Sequence, residues 1–208
     1  MVFCLMLSLA PAAFAVDASS ATNPITVNTE TDLQNAVSAS ASYDLVTLGS
    51  DITLTGTLSI NRGVTISGGS DKHTLTYSGT AADGAIAVNT NDPVVMDNLI
   101  VTVTNAQTRG IKLATTSPKF TFSNSELNAS FRGIWVDTGC DSNSVITVSN
   151  STIQNNQIPE GRTYDNWANC TDTRGIALWD MNNSKVEIID SNILGFGYSV
   201  NLTGTLDE

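Results

Sequence analysis

Apolar and polar positions alternate along most of this chain in short bursts, and two of these bursts recur in a fixed order. The first reads Val94-Val95-Met96-Asp97-Asn98 and returns at Phe120-Thr121-Phe122-Ser123-Asn124, Ile146-Thr147-Val148-Ser149-Asn150 and Val186-Glu187-Ile188-Ile189-Asp190. Its spacings are 26, 26 and 40 residues. The second reads Gly84-Ala85-Ile86-Ala87-Val88 and returns at Arg109-Gly110-Ile111-Lys112-Leu113, Arg132-Gly133-Ile134-Trp135-Val136, Arg174-Gly175-Ile176-Ala177-Leu178 and Tyr198-Ser199-Val200-Asn201-Leu202. Its spacings are 25, 23, 42 and 24 residues, so both series stretch at the same place. Alternation with period two puts one strand face in a core and the other outside. A five-residue strand cannot bury its apolar face alone, but coils stacked about 4.8 Å apart can. The pattern predicts an all-β fold, a right-handed parallel β-helix. Ile86, Ile111, Ile134, Ile176 and Val200 should form one internal column, and Met96, Phe122, Val148 and Ile188 another.

Ahead of the regular coils, Thr31-Asp32-Leu33-Gln34 reads as a capping box, with Leu33, Ala36 and Val37 on one helical face. A short N-terminal capping helix over residues 31–40 is expected to lid the first coil. Leu45-Val46-Thr47-Leu48, Ile52-Thr53-Leu54, Leu58-Ser59-Ile60 and Val64-Thr65-Ile66 follow as further strands. Together, Asp32-Leu33-Gln34-Asn35-Ala36-Val37, Thr47-Leu48-Gly49-Ser50-Asp51-Ile52-Thr53-Leu54, Val64-Thr65-Ile66-Ser67-Gly68-Gly69 and His73-Thr74-Leu75 resemble the start of pectate-lyase-like β-helix proteins. They also resemble the β-helix regions of large bacterial surface proteins and adhesins. The resemblance implies the fold, while one fold hosts many activities.

Residues 1–15 form a different segment: an apolar run to Leu9, then Ala13-Phe14-Ala15 as a small-x-small cleavage site. This predicts a signal peptide, a linker at 16–24 and a β-helix over 25–208 in a secreted or cell-surface protein. With no second cap visible before Glu208, the β-helix is expected to continue beyond it. After cleavage Cys140 and Cys170 remain. They are expected to pair, tying an insertion at about 157–173 to the preceding coil, with two free thiols as the alternative. The chain carries a formal net charge of -11 with 9 Lys and Arg among 208 residues. Its overall field disfavours nucleic acid and anionic membranes. No second hydrophobic span follows the signal.

Asn98, Asn124, Asn150 and Asp190 recur at one turn position and are expected to be structural, because Asn is first of all a turn residue. Arg109, Arg132 and Arg174 each precede a Gly. Stacked cations would repel by about 1 kcal/mol per pair even in water, so each is either neutralised locally or part of an anion site for a uronate or sulfated sugar. Trp135 and Trp179 follow inward-facing residues and are expected to point outward. They either offer flat faces to sugar rings or lie covered by the insertion, which carries Tyr164 and Trp167. Arg132, Trp135, Trp167, Arg174 and Trp179 are therefore the candidate ligand-binding residues, with a polysaccharide or cell-wall glycan as partner.

No catalytic set is assigned. The resemblance implies that a lyase of this superfamily would carry clustered acidic calcium ligands and a basic residue, and a polygalacturonase several aspartates with a histidine. This chain has one histidine, His73, far along the sequence from the tryptophans. Asp137 and Asp180 are the carboxylates nearest them. Arg109-Gly110-Ile111-Lys112 resembles a polygalacturonase Arg-Ile-Lys motif, but with a Gly inserted. No metal-ligand spacing or nucleotide loop occurs, and no cofactor is expected. The expected function is a non-catalytic structural or adhesin-type module that binds glycans. The alternative is a polysaccharide lyase or glycoside hydrolase.

Overall fold

The structure, a computed structural model, describes residues 21–81, 83–105, 108–136, 139–155 and 173–204. Its strands form three parallel sheets in a right-handed β-helix. The first sheet stacks Pro24–Val27, Leu45–Leu48, Val64–Ser67, Val94–Asp97, Lys119–Ser123, Val145–Ser149 and Lys185–Ile189. The second stacks Ile52–Leu54, Thr74–Tyr77, Ile100–Val103, Glu126–Asn128, Thr152–Gln154 and Asn192–Leu194. The third stacks Leu58–Ile60, Ile86–Val88, Ile111–Leu113, Arg132–Val136, Arg174–Leu178 and Tyr198–Leu202.

Both expected columns form. Ile86, Ile111, Ile134, Ile176 and Val200 are neighbours in the register of the third sheet. Met96, Phe122, Val148 and Ile188 are neighbours in the first. The second sheet supplies a third column, Leu75, Val101, Leu127, Ile153 and Ile193. Burying each such side chain stabilises the fold by about 1.5–3 kcal/mol.

The turn between the first and second sheets explains the recurring Asn. Asn98, Asn124, Asn150 and Asp190 have φ of 49°, 50°, 48° and 47°. This is the left-handed region, which Asn and Asp tolerate better than other side chains. The amides also tie coils together: Asn98 Nδ2 donates to Gly69 O (2.6 Å) and Asn124 Nδ2 to Asp97 Oδ1 (2.8 Å). One residue further, a buried serine ladder satisfies the backbone of the coil before it. Leu99 N donates to Ser125 Oγ, Ser125 N to Ser151 Oγ and Ser151 N to Ser191 Oγ, at 3.1, 3.1 and 3.2 Å.

The capping helix is present but shifted from its expected span to Glu30–Ala36. Thr29, not Thr31, is the N-cap. Its Oγ1 accepts from Asp32 N (3.1 Å) and donates to Asp32 Oδ2 (2.7 Å), so Thr29-x-x-Asp32 is the operative box. Leu33, Ala36 and Val37 are fully or almost fully buried over the first coil. Glu30 fastens the lid by accepting from Thr55 N (2.9 Å), Thr55 Oγ1 (2.9 Å) and Gly56 N (3.1 Å).

Candidate functional site: a cation and aromatic strip

The strip begins with the glycines of the third sheet. A Cβ on Gly110 would lie 2.5 Å from Gly133 O. One on Gly133 would lie 2.4 Å from Gly175 O and 2.6 Å from Ile153 Cγ2. At this corner the coils approach so closely that no side chain fits. The residue before each glycine is only partly buried, and there the chain carries Arg109, Arg132 and Arg174. Arg132 and Arg174 are register partners, and Tyr198 follows Arg174 on the next coil.

Each arginine lies against aromatic rings of its own or the next coil. The Arg109 guanidinium lies 4.3 Å from the Trp135 ring centre, and that of Arg132 lies 4.5 Å from the Trp179 ring. Arg132 also lies 5.2 Å from the Trp135 ring, and Arg174 lies 5.7 Å from both Trp179 and Tyr198. Going up the solenoid, the order is Arg109, Trp135, Arg132, Trp179, Arg174, Tyr198. Phe131 lies within reach of both Arg109 (5.4 Å) and Arg132 (5.1 Å). Such contacts are worth about 0.5–2 kcal/mol each, depending on desolvation. They offset the repulsion that a bare cation ladder would suffer. Asp83 adds an ion pair with Arg109 at 3.6 Å, but its side chain is 80% exposed, so its contribution is small.

Trp135 sits outside the apolar core cluster, in register with Lys112 and Ala177. It is nonetheless only 2% exposed. Lys112 Nζ lies 5.0 Å from its ring, so three cations gather on this one indole. A ring so covered presents no face to a sugar, and its part in the strip is to hold the cations. Trp179 lies one residue beyond its strand and is half-buried, and its Nε1 donates to Asn201 Oδ1 (3.2 Å). Of the five candidate residues, the structure brings together Arg132, Trp135, Arg174 and Trp179, while Trp167 lies outside the described residues, as do Tyr164 and Asp137.

Sequence reasoning missed Lys112, Phe131 and Tyr198 as members of the strip. The repeat alignment contained two of them, since Lys112 occupies the position of Trp135 and Tyr198 that of Arg174. Phe131 had no signal beyond its place beside Arg132.

Beyond the ends of the same strands, Thr116, Cys140, Asp141, Asp180 and Asn182 line a shallow depression. Cys140 is buried, and burial pushes its thiol up. Its expected partner, Cys170, lies outside the described residues. The Ser117 hydroxyl and the Asn143 amide hold the Asp141 carboxyl below its usual range. Asp180 is an exposed turn residue with φ of 51°. His73 is remote from the strip, its Nδ1 lying 3.3 Å from Asp51 Oδ1. Among the described residues, no helix is long and apolar enough to cross a membrane. In comparisons with known protein families, curated proteins and solved structures, the chain matches none of them.

Proposed function

We propose that this chain is a non-catalytic β-helix module of a secreted or cell-surface protein, and that the outer face of its third sheet binds an acidic glycan. We also place it in the pectate-lyase-like superfamily, on the strength of its three-sheet coil, its N-terminal lid and its Asn turns. The cation and aromatic strip carries the functional reading. Four of the chain's 9 basic residues, Arg109, Lys112, Arg132 and Arg174, lie along three successive coils of a molecule with net charge -11. Guanidinium groups pair with carboxylates and sulfates through parallel hydrogen bonds. The half-buried Trp179 and the exposed Tyr198 supply aromatic edges on which a ring's apolar side can rest. The rigid stack keeps these groups at fixed spacing, which lowers the ordering cost of binding.

The test is binding of the purified protein to an array of uronate-bearing, sulfated and neutral oligosaccharides. The wild type should retain acidic glycans, with affinity falling as salt rises. Arg132→Gln with Arg174→Gln should abolish retention, and Trp179→Ala should weaken it. Absence of acidic-glycan binding, or equal binding by the double variant, refutes the reading. Cleavage of any of these oligosaccharides refutes the non-catalytic part.

A further inference from the structure

One polar atom in the strip is left over. The indole Nε1 of Trp135 is buried and makes no hydrogen bond among the described residues. A buried donor in that condition loses its hydration and gains nothing in return, so each one calls for an explanation. The register shows how it arises. In the sheet, Trp135 stands between Lys112 on one coil and Ala177 on the next. Lysine offers only donors and alanine offers neither donor nor acceptor, so neither neighbouring side chain can receive the indole proton. Trp179 differs: its Nε1 donates to Asn201 Oδ1 at 3.2 Å, and Asn201 is the register partner of Ala177. Around the Trp135 ring, Arg109, Lys112 and Arg132 stand 4.3, 5.0 and 5.2 Å from its centre. Arginine, lysine and the indole are all donors without an acceptor. Four donor-only groups therefore meet in one place, and three of them are cations.

We propose that the edge of Trp135 is an anion subsite, in which a carboxylate or sulfate oxygen accepts from the indole Nε1 while Arg109, Lys112 and Arg132 surround it with positive charge. A water molecule answers the donor but not the charge; an oxyanion answers both. The natural source of the group rests on the acidic-glycan reading above. The subsite deepens that reading, because it gives the covered tryptophan a hydrogen-bonding part in recognition where its face has none. Arg109, Lys112 and Arg132 are only partly buried, so their long side chains can swing aside and close again over a small group. A neutral sugar brings no charge to match them, so Trp135 selects for the acid group itself.

The test is titration of isotope-labelled protein with sodium sulfate, sodium glucuronate and glucose, followed by the indole N–H resonances in heteronuclear NMR. Trp135→Phe keeps an aromatic face for the cations, removes only the donor and assigns the resonance. If that variant does not fold, Trp167→Phe and Trp179→Phe assign it by elimination. The Trp135 resonance should shift and saturate with sulfate and with glucuronate and stay still with glucose. Arg109→Gln should weaken both anions about tenfold, as loss of one charge-assisted bond requires. No shift, or one that grows linearly with salt without saturating, overturns the proposal and leaves the donor to water. On the oligosaccharide array, Trp135→Phe should lose acidic glycans about tenfold. A saturating shift in a protein that retains no glycan sinks the glycan reading and leaves the anion subsite standing. Full retention by Trp135→Phe does the reverse.

Discussion

Gly133→Ala adds one methyl group at a tight point of the third-sheet corner, held by rigid neighbours. The new Cβ would lie 2.4 Å from Gly175 O and 2.6 Å from Ile153 Cγ2, far inside ordinary van der Waals contact. Neither neighbour can yield cheaply. The carbonyl belongs to the next coil of the same sheet, and Ile153 is fully buried in the second-sheet column. Relief requires the coils to separate locally, which strains the Arg132–Arg174 register and the Trp135 packing. Overpacking of this kind costs about 1–3 kcal/mol, and two rigid neighbours put the expected loss near 3 kcal/mol. For a chain of this size that lowers the melting temperature by roughly 6–12 °C. Gly56→Ala is the control, because nothing lies within 4 Å of its added Cβ. It should be neutral or raise stability by about 0.4–1 kcal/mol through the unfolded chain. The assay is urea unfolding followed by circular dichroism and tryptophan emission. If Gly133→Ala is as stable as Gly56→Ala, the steric account of the Arg-Gly repeat is wrong.

Acid should weaken the lid and the first strand before the rest of the coil. Asp44 accepts from Thr22 Oγ1 (2.7 Å), Thr22 N (2.6 Å) and Asn23 N (2.9 Å), and these bonds pull its carboxyl down to about 2. Asp51 is lowered by the Thr74 amide and by His73. For Glu30 burial acts upward, but the bonds from Gly56 and Thr55 outweigh it and the net shift is down. These folded values lie below the unfolded ones, so the stabilisation is complete above about pH 5 and is lost as pH falls towards 2. Unfolding free energy measured across that range should fall, and Asp44→Asn should flatten the slope; an unchanged slope excludes Asp44 as a source. Ser125→Ala removes the oxygen that receives the buried Leu99 N–H, and should cost about 1–3 kcal/mol in the same urea assay. A loss no larger than that of an exposed Ser59→Ala would show the serine ladder to be incidental.

The fold was legible in the chain because a solenoid repeats one local problem. Each coil must bury a few alternating apolar residues and turn a corner. Ile111, Ile134 and Ile176, and Asn98, Asn124 and Asn150, therefore recur in step whatever the rest of the sequence does. The second-sheet strands were harder to see, since Glu126–Asn128 and Thr152–Gln154 are three residues long and follow the Asn turn with only one inward position each. The N-cap was misplaced by two residues because Thr29 and Thr31 both open acceptable boxes, and only the contact of Glu30 with Thr55 and Gly56 on the first coil separates them.

The strip marks the boundary between the two kinds of information. Alternation alone determined that Trp135 faces away from the core cluster, because its neighbours Ile134 and Val136 are buried inside. Whether an outward side chain is open or covered depends on residues from other coils. Arg109 comes from one coil below, and Arg132 from the indole's own strand. The expected ladder of stacked arginines likewise became an alternation of cations and rings only once Trp179 and Tyr198, 47 and 66 residues beyond Arg132 in the chain, were brought beside Arg132 and Arg174. Period-two patterning fixes direction, since it is a property of each strand by itself. Burial and charge pairing are properties of neighbours, which only the stacked coils supply.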